Sequence, residues 1–150
     1  MKSLFDSQVH AHTIARIDSL TAESKGLWGK MSVGQMLHHC QFPLEVALGD
    51  LRHLVLPGPL MKFMMKGFKK KMYDDRPWKE GMPTAKGFKV TEERDFVPEK
   101  ARLIQLVDEF YRERDKETWD PHPIFGTFTP QQWGQSQYKH LDHHLRQFGV

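Results

Sequence analysis

The sequence predicts an all-α protein, a four-helix bundle with a long insertion between its second and third helices. Apolar residues recur at helical spacing in four segments of about 15–19 residues each. Two of those segments open on a full capping-box pattern, Ser32 with Gln35 and Thr129 with Gln132. No run shows the apolar–polar alternation of a half-buried strand. The 150 residues fit one domain, 1–150, long enough to bury its own core.

The first helix is predicted from about Asp6 to Leu20, with Val9, Ile14, Ile17 and Leu20 along one side. In the second, Ser32 is the N-cap and Gln35 stands at N3, with Met31 and Met36 placed for a hydrophobic staple. It runs to about Leu48, with Gly49 as terminator, and Pro43 removes the amide that would bond the His39 carbonyl. Residues 50–96 read as irregular. Pro57, Gly58 and Pro59 break the chain before LMKFMMKGFKKKMY, a short helix, and RPWKEGMPTAKGF reads as loop. The third helix opens near Pro98 and presents Leu103, Ile104, Val107, Phe110 and Tyr111 on one face. After the turn-rich DPHPIFGTF, the fourth helix takes Thr129 as N-cap and Pro130 at N1, and runs to about Phe148 before Gly149.

Composition narrows the function. A single cysteine, Cys40, excludes an internal disulfide and a Cys-rich zinc site and points to the cytoplasm. No apolar run approaches the roughly 18–20 residues of a membrane span. The opening MKSLFDSQVHAH lacks a signal peptide's apolar segment. The net charge of +3 is too small to argue nucleic-acid binding, but it is uneven. Residues 61–89 carry nine Lys/Arg against three acidic residues, a segment charge of +6, which leaves −3 for the rest.

Nine histidines are the second anomaly. His140 and His144 stand one helical turn apart and project from one face, beside Trp133, Gln137, Leu141, Leu145 and Phe148. Two inward imidazoles are costly unless something satisfies them, and such a pair can chelate one ion. A third ligand comes from a facing helix. His39 falls on the stripe of Met36, Cys40, Pro43 and Ala47 and is favoured, with His38 second; His140 with His143 is the alternative pair. The competing reading is a polar core of hydrogen-bonded histidines. Gln137 or Gln147 is placed to orient a ligand, and His122 opens a turn, where packing within the turn is favoured over an approach to the mouth of the site. Asp142 points to a solvated face, Tyr138 and Arg146 make surface or interhelical contacts, and Gln35 is a cap. His10, His12 and His53 read as surface residues, Cys40 as a small buried hydrophobe, and Trp28, Trp119 and Trp133 as core aromatics.

The segments Trp28-Gly29-Lys30-Met31-Ser32 and Gln35-Met36-Leu37, then His122-Pro123-Ile124-Phe125-Gly126, and the ending KHLDHHLRQFG together resemble the DinB-like (YfiT-like) superfamily, and within it a branch of uncharacterised proteins. The resemblance spans roughly residues 5–50 and 96–150. It implies an antiparallel bundle of up-down-down-up course and a three-His site for Zn or Ni at His39, His140 and His144. It also implies a metal-dependent enzyme, either a transferase acting on a low-molecular-weight thiol or a hydrolase, and a homodimer. Three neutral imidazoles leave one position of a tetrahedral ion open, which suits activation of water or of a thiol.

The basic segment remains outside the resemblance. Its mixture of Phe63, Met64, Met65, Phe68 and Met72 with Lys62, Lys66, Lys69, Lys70 and Lys71 fits a helix packed on the bundle with a solvated lysine face. It also fits a cap on the metal cavity whose lysines draw in an anionic small molecule. Membrane-surface or nucleic-acid binding is the less favoured use of the same charges. A non-catalytic bundle, with a structural metal or none, completes the set of readings.

Overall fold

The structure, a computed structural model, describes residues 1–52, 56, 58, 60, 63, 65, 67–82, 84 and 86–150. His53, Pro57, Pro59, Lys62, Met64 and Lys66, all named above, lie outside the described residues. The fold is all-α: the described residues hold no strand, and the helices that build the bundle are α1 (Ser7–Ser19), α2 (Val33–Ala47), α3 (Phe96–Arg112) and α4 (Pro130–Gln147).

Each helix starts for a local reason. Asp6 caps α1 by accepting the amides of Gln8 and Val9. Ser32 and Gln35 close their reciprocal box on α2, as Thr129 and Gln132 do on α4, where Pro130 sits in the first turn. Helix α3 begins two residues earlier than the Pro98 signal suggests, at Phe96 after Asp95. Proline is compatible there because the first-turn amides have no intrahelical acceptor in any case. Gly49 and Gly149 follow α2 and α4 at φ +93° and +77°, the left-handed conformation that stops a helix.

Helix α2 packs on α3 and α4, and α1 packs on the same two. The core they enclose holds Leu4, Ile17, Met36, Leu37, Leu44, Leu103, Leu106, Val107, Phe110, Trp133, Leu141 and Leu145, all essentially buried. Of the face predicted on α3, Leu103, Val107 and Phe110 are buried, whereas Ile104 and Tyr111 are half-buried and Leu106 joins the core. Of the three tryptophans read as core, Trp133 is buried, and Trp28 and Trp119 are half-buried. His12 is exposed, but His10 is not a free surface residue: it stacks on Tyr111 and pairs through Nε2 with Asp108 at 2.8 Å, tying α1 to α3. In the insertion, Leu60, Phe63 and Met65 are helical, and Lys69–Met72 and Lys86–Phe88 form 3-10 turns. No helix among the described residues is long and apolar enough to cross a membrane.

His122 belongs to the turn before α4. Its Nδ1 accepts the amides of Ile124 and Phe125 at 3.1 and 3.2 Å, and its ring lies against Phe125, Phe128 and Trp133. Burial lowers its pKa to about 4, because a proton on Nδ1 would abolish both bonds inside an apolar turn. The unfolded chain takes up this proton near pH 6.5 and the folded one does not, so His122 destabilises the fold as pH falls from 6.5 towards 4. In urea titrations the wild type is expected to lose about 2 kcal/mol more than His122→Asn between pH 7.5 and pH 5. Parallel pH profiles for the two proteins would overturn this.

Candidate metal centre

The i,i+4 spacing on α4 sets His140 and His144 on one face, flanked by the buried Leu141 and Leu145. Helix α2 delivers His39 from the opposite side. All three are buried, and one ring nitrogen from each lies within 4.8 Å of the others. Among the described residues this is the one group of three or more His, Cys, Asp or Glu side chains that could hold a metal ion. His39 Nε2 and His140 Nε2 face each other at 3.1 Å.

The outer nitrogens explain what the inner ones can do. His39 Nδ1–H donates to the Phe88 carbonyl at 2.8 Å, and a carbonyl can only accept. His39 Nε2 is therefore a bare lone pair pointing inward. His144 Nδ1–H likewise donates to Gln147 Oε1 at 2.8 Å, while Gln147 Nε2 donates to the Trp28 carbonyl at 2.7 Å, which fixes the orientation of that amide. His144 Nε2 is thus a second lone pair. The 3.1 Å contact needs a proton on His140 Nε2 to bridge it; His39, His140 and His144 would hold a divalent ion if that proton gave way to it, each offering one ring nitrogen. Outer N–H groups held by oxygen acceptors are the support a ligating imidazole requires. The donor set fits a divalent metal.

Electrostatics favours the same form. Burial, then the neighbouring His144, His39 and His143, holds the His140 pKa well below its ordinary value. Burial, opposed by the Phe88 carbonyl, lowers that of His39. Burial, with His39 adding to it, takes His144 to about 3. All three imidazoles are neutral at pH 7, the state that ligates.

The other predicted residues take varied places. His38 faces away from the cluster and pairs through Nδ1 with Glu99 at 2.9 Å, and Gln41 donates to the same carboxylate at 2.6 Å. His143 is buried between Trp28 and Trp78, with its Nδ1 unpartnered. Gln137 does not reach the imidazoles; its amide donates to the Pro43 carbonyl at 3.0 Å, and Gln147 is the glutamine that orients a ligand. His122 stays in its turn. Cys40 is buried with Sγ 3.7 Å from Met36 Sδ, and burial pushes its thiol pKa up. Asp142 is not on a solvated face: it is half-buried and accepts from Arg16 at 2.8 Å and Arg146 at 2.9 Å, joining α1 to α4.

Three supports of the centre have roles that spacing and periodicity do not show. The Phe88 carbonyl belongs to the backbone, which leaves no mark in a sequence. Trp78 packs its ring on His140 and His143 at 5.9 and 5.7 Å; a Trp in a Pro/Gly-rich loop is the sequence signal that points to it. The Trp28–Gly29 stretch holds Gln147, and a Cβ on Gly29 would lie 2.5 Å from Gln147 Nε2.

Residues 4–149 match the sequence model of a family described as "Protein of unknown function (DUF1569)". No curated protein and no solved structure matches the chain.

Proposed function

We propose that this chain, which belongs to the DUF1569 family of proteins of unknown function, is a metal-dependent enzyme of DinB-like (YfiT-like) type. Its site takes one Zn or Ni ion on His39, His140 and His144, within a bundle of up-down-down-up course. The observation that carries the reading is the set of outward Nδ1–H bonds, to Phe88 and Gln147, that turn two Nε2 lone pairs onto a third imidazole. An ion held there would supply Lewis acidity, enough to bring a bound water's pKa to roughly 7 or to hold a thiol as its thiolate. The chain does the rest. Gln147 and Phe88 orient two ligands, burial keeps all three imidazoles neutral, and Trp78 and Phe42 put aromatic rings against the cluster. The reaction is thiol S-transfer or hydrolysis on a small molecule, either a thiol or an anionic compound, in the cytoplasm, with a homodimer as the assembly.

A second reading has its own observation. The 3.1 Å contact between His39 and His140 is also a satisfactory hydrogen bond without an ion, so a non-catalytic bundle with a polar core is self-consistent. Elemental analysis of protein purified without a His tag decides between them. The enzyme reading expects about one Zn or Ni per chain. A metal content near zero that stays there after incubation with either ion establishes the polar core instead.

A further inference from the structure

Lys139, the residue just before His140, is a buried lysine, only 6 % exposed. A buried ammonium is tolerable only when its three N–H groups are satisfied. Here they meet the Lys71 carbonyl at 2.7 Å, the Asp74 carbonyl at 3.0 Å and Asp74 Oδ1 at 2.5 Å. All three acceptors belong to the insertion. The Lys71 carbonyl also accepts from Trp78 Nε1 at 2.8 Å, so one oxygen registers both the lysine and the indole. Lys139 Nζ lies 5.8 Å from the centre of the Trp78 ring, and that ring stands over His140 and His143. Lys69 adds a bond to the Thr127 carbonyl. This stretch of the basic insertion is therefore fastened to α4 beside the cluster.

Resting on the metal-centre reading above, we propose that Trp78 is the specificity-determining residue of the site. It walls the cluster on the α4 side and limits by size what reaches the three imidazoles. Lys139 and Asp74 are its positioning residues. Any molecule that approaches past His140 meets the indole, so the site selects by size in favour of small ligands. Removing the ammonium leaves the Asp74 carbonyl without its donor and Asp74 Oδ1 with the Arg76 amide alone, and the Lys71 carbonyl, still bonded to the indole N–H, loses its tie to α4.

The test reads access directly. Metal-free protein is treated with diethylpyrocarbonate, and modification of each histidine is followed by mass spectrometry. Trp78→Ala and Lys139→Met are expected to speed labelling of His140 and His143 by about tenfold or more, because labelling tracks the population of the open form. Trp78→Phe stays near wild type, and labelling of the exposed His12 is unchanged in every variant. Asp74→Asn, which keeps the lysine, gives an intermediate rate and stands in for Lys139→Met if that protein does not fold. A folded Trp78→Ala protein whose His140 and His143 react within about twofold of wild type overturns the proposal. The assay needs no metal, so a protein that binds none but shows the tenfold change refutes the metal reading and leaves the wall intact. A protein that binds metal with unchanged labelling does the reverse.

Discussion

Replacing His140 with alanine is expected to abolish stoichiometric metal binding, with an affinity loss exceeding the roughly 100-fold that removal of a mere supporting residue costs. The three rings are nearly equidistant, with those of His39 and His144 4.7 Å apart. The ring centre of His140 lies 5.0 Å from that of His39 and 4.8 Å from that of His144, and its Nε2 meets His39 Nε2 at 3.1 Å. Without it, two imidazoles remain for an ion that takes four ligands, and no carboxylate or thiolate shares the group to replace the third. The loss has a second readout. An ion that binds only the folded state stabilises it in proportion to ln(1 + [L]/Kd), so a chelator should lower the melting temperature of the wild type and leave that of His140→Ala where it was. His12→Ala, altering an exposed histidine on α1, should behave as wild type in both assays. Metal bound one-to-one by His140→Ala would remove His140 from the ligand set.

Gly34→Ala is expected to destabilise the fold by about 3 kcal/mol, lowering the melting temperature by about 6–12 °C for a chain of this size. Gly34 lies in the first turn of α2, where the chain entering α3 crosses it. A Cβ there would stand 2.0 Å from the Arg94 carbonyl oxygen and 2.9 Å from its carbon. Both are backbone atoms, so no rotamer change relieves the overlap. The neighbouring contact is also tight, since Gln35 Nε2 donates to the Glu92 carbonyl at 3.2 Å. Residues 92–94 must therefore move as a unit. They end the insertion that carries Phe88, whose carbonyl orients His39, so metal affinity should weaken alongside stability. Gly58→Ala, where nothing among the described residues lies within 4 Å, is the neutral comparison. A loss below about 0.5 kcal/mol for Gly34→Ala, the size of an ordinary surface change, would mean that the crossing segment shifts freely.

The candidate site was partly legible in the sequence. The HxxxH spacing puts His140 and His144 on one face whatever surrounds them, because a helical turn brings i and i+4 together. The choice of His39 over His38 follows from a 100° rotation per residue, and His38 indeed turns to Glu99. Asp142 illustrates the limit. It does lie off the His140–His144 stripe, but its surroundings depend on Arg16, 126 residues away, and that pairing no periodicity encodes. Gln137 and Gln147 are equivalent candidates in the sequence; they part only because one reaches Pro43 and the other stands a turn beyond His144 and beside Trp28.

The basic insertion shows the same division more sharply. Its charge of +6 against −3 elsewhere is plain in the composition, yet charge does not say which lysine is fastened where. Helix bounds, capping boxes and the His pair depend on residues within four positions of one another, so the order of amino acids by itself determined them. The supports of the centre join residues much further apart: Phe88 to His39 across 49 positions, Lys139 to Lys71 across 68, and Gln147 to Trp28 across 119. All three end on backbone carbonyls outside the four helices, which every residue carries alike. Only the packing of the insertion and the Trp28 loop against α2 and α4 decides which carbonyl meets which imidazole, amide or ammonium.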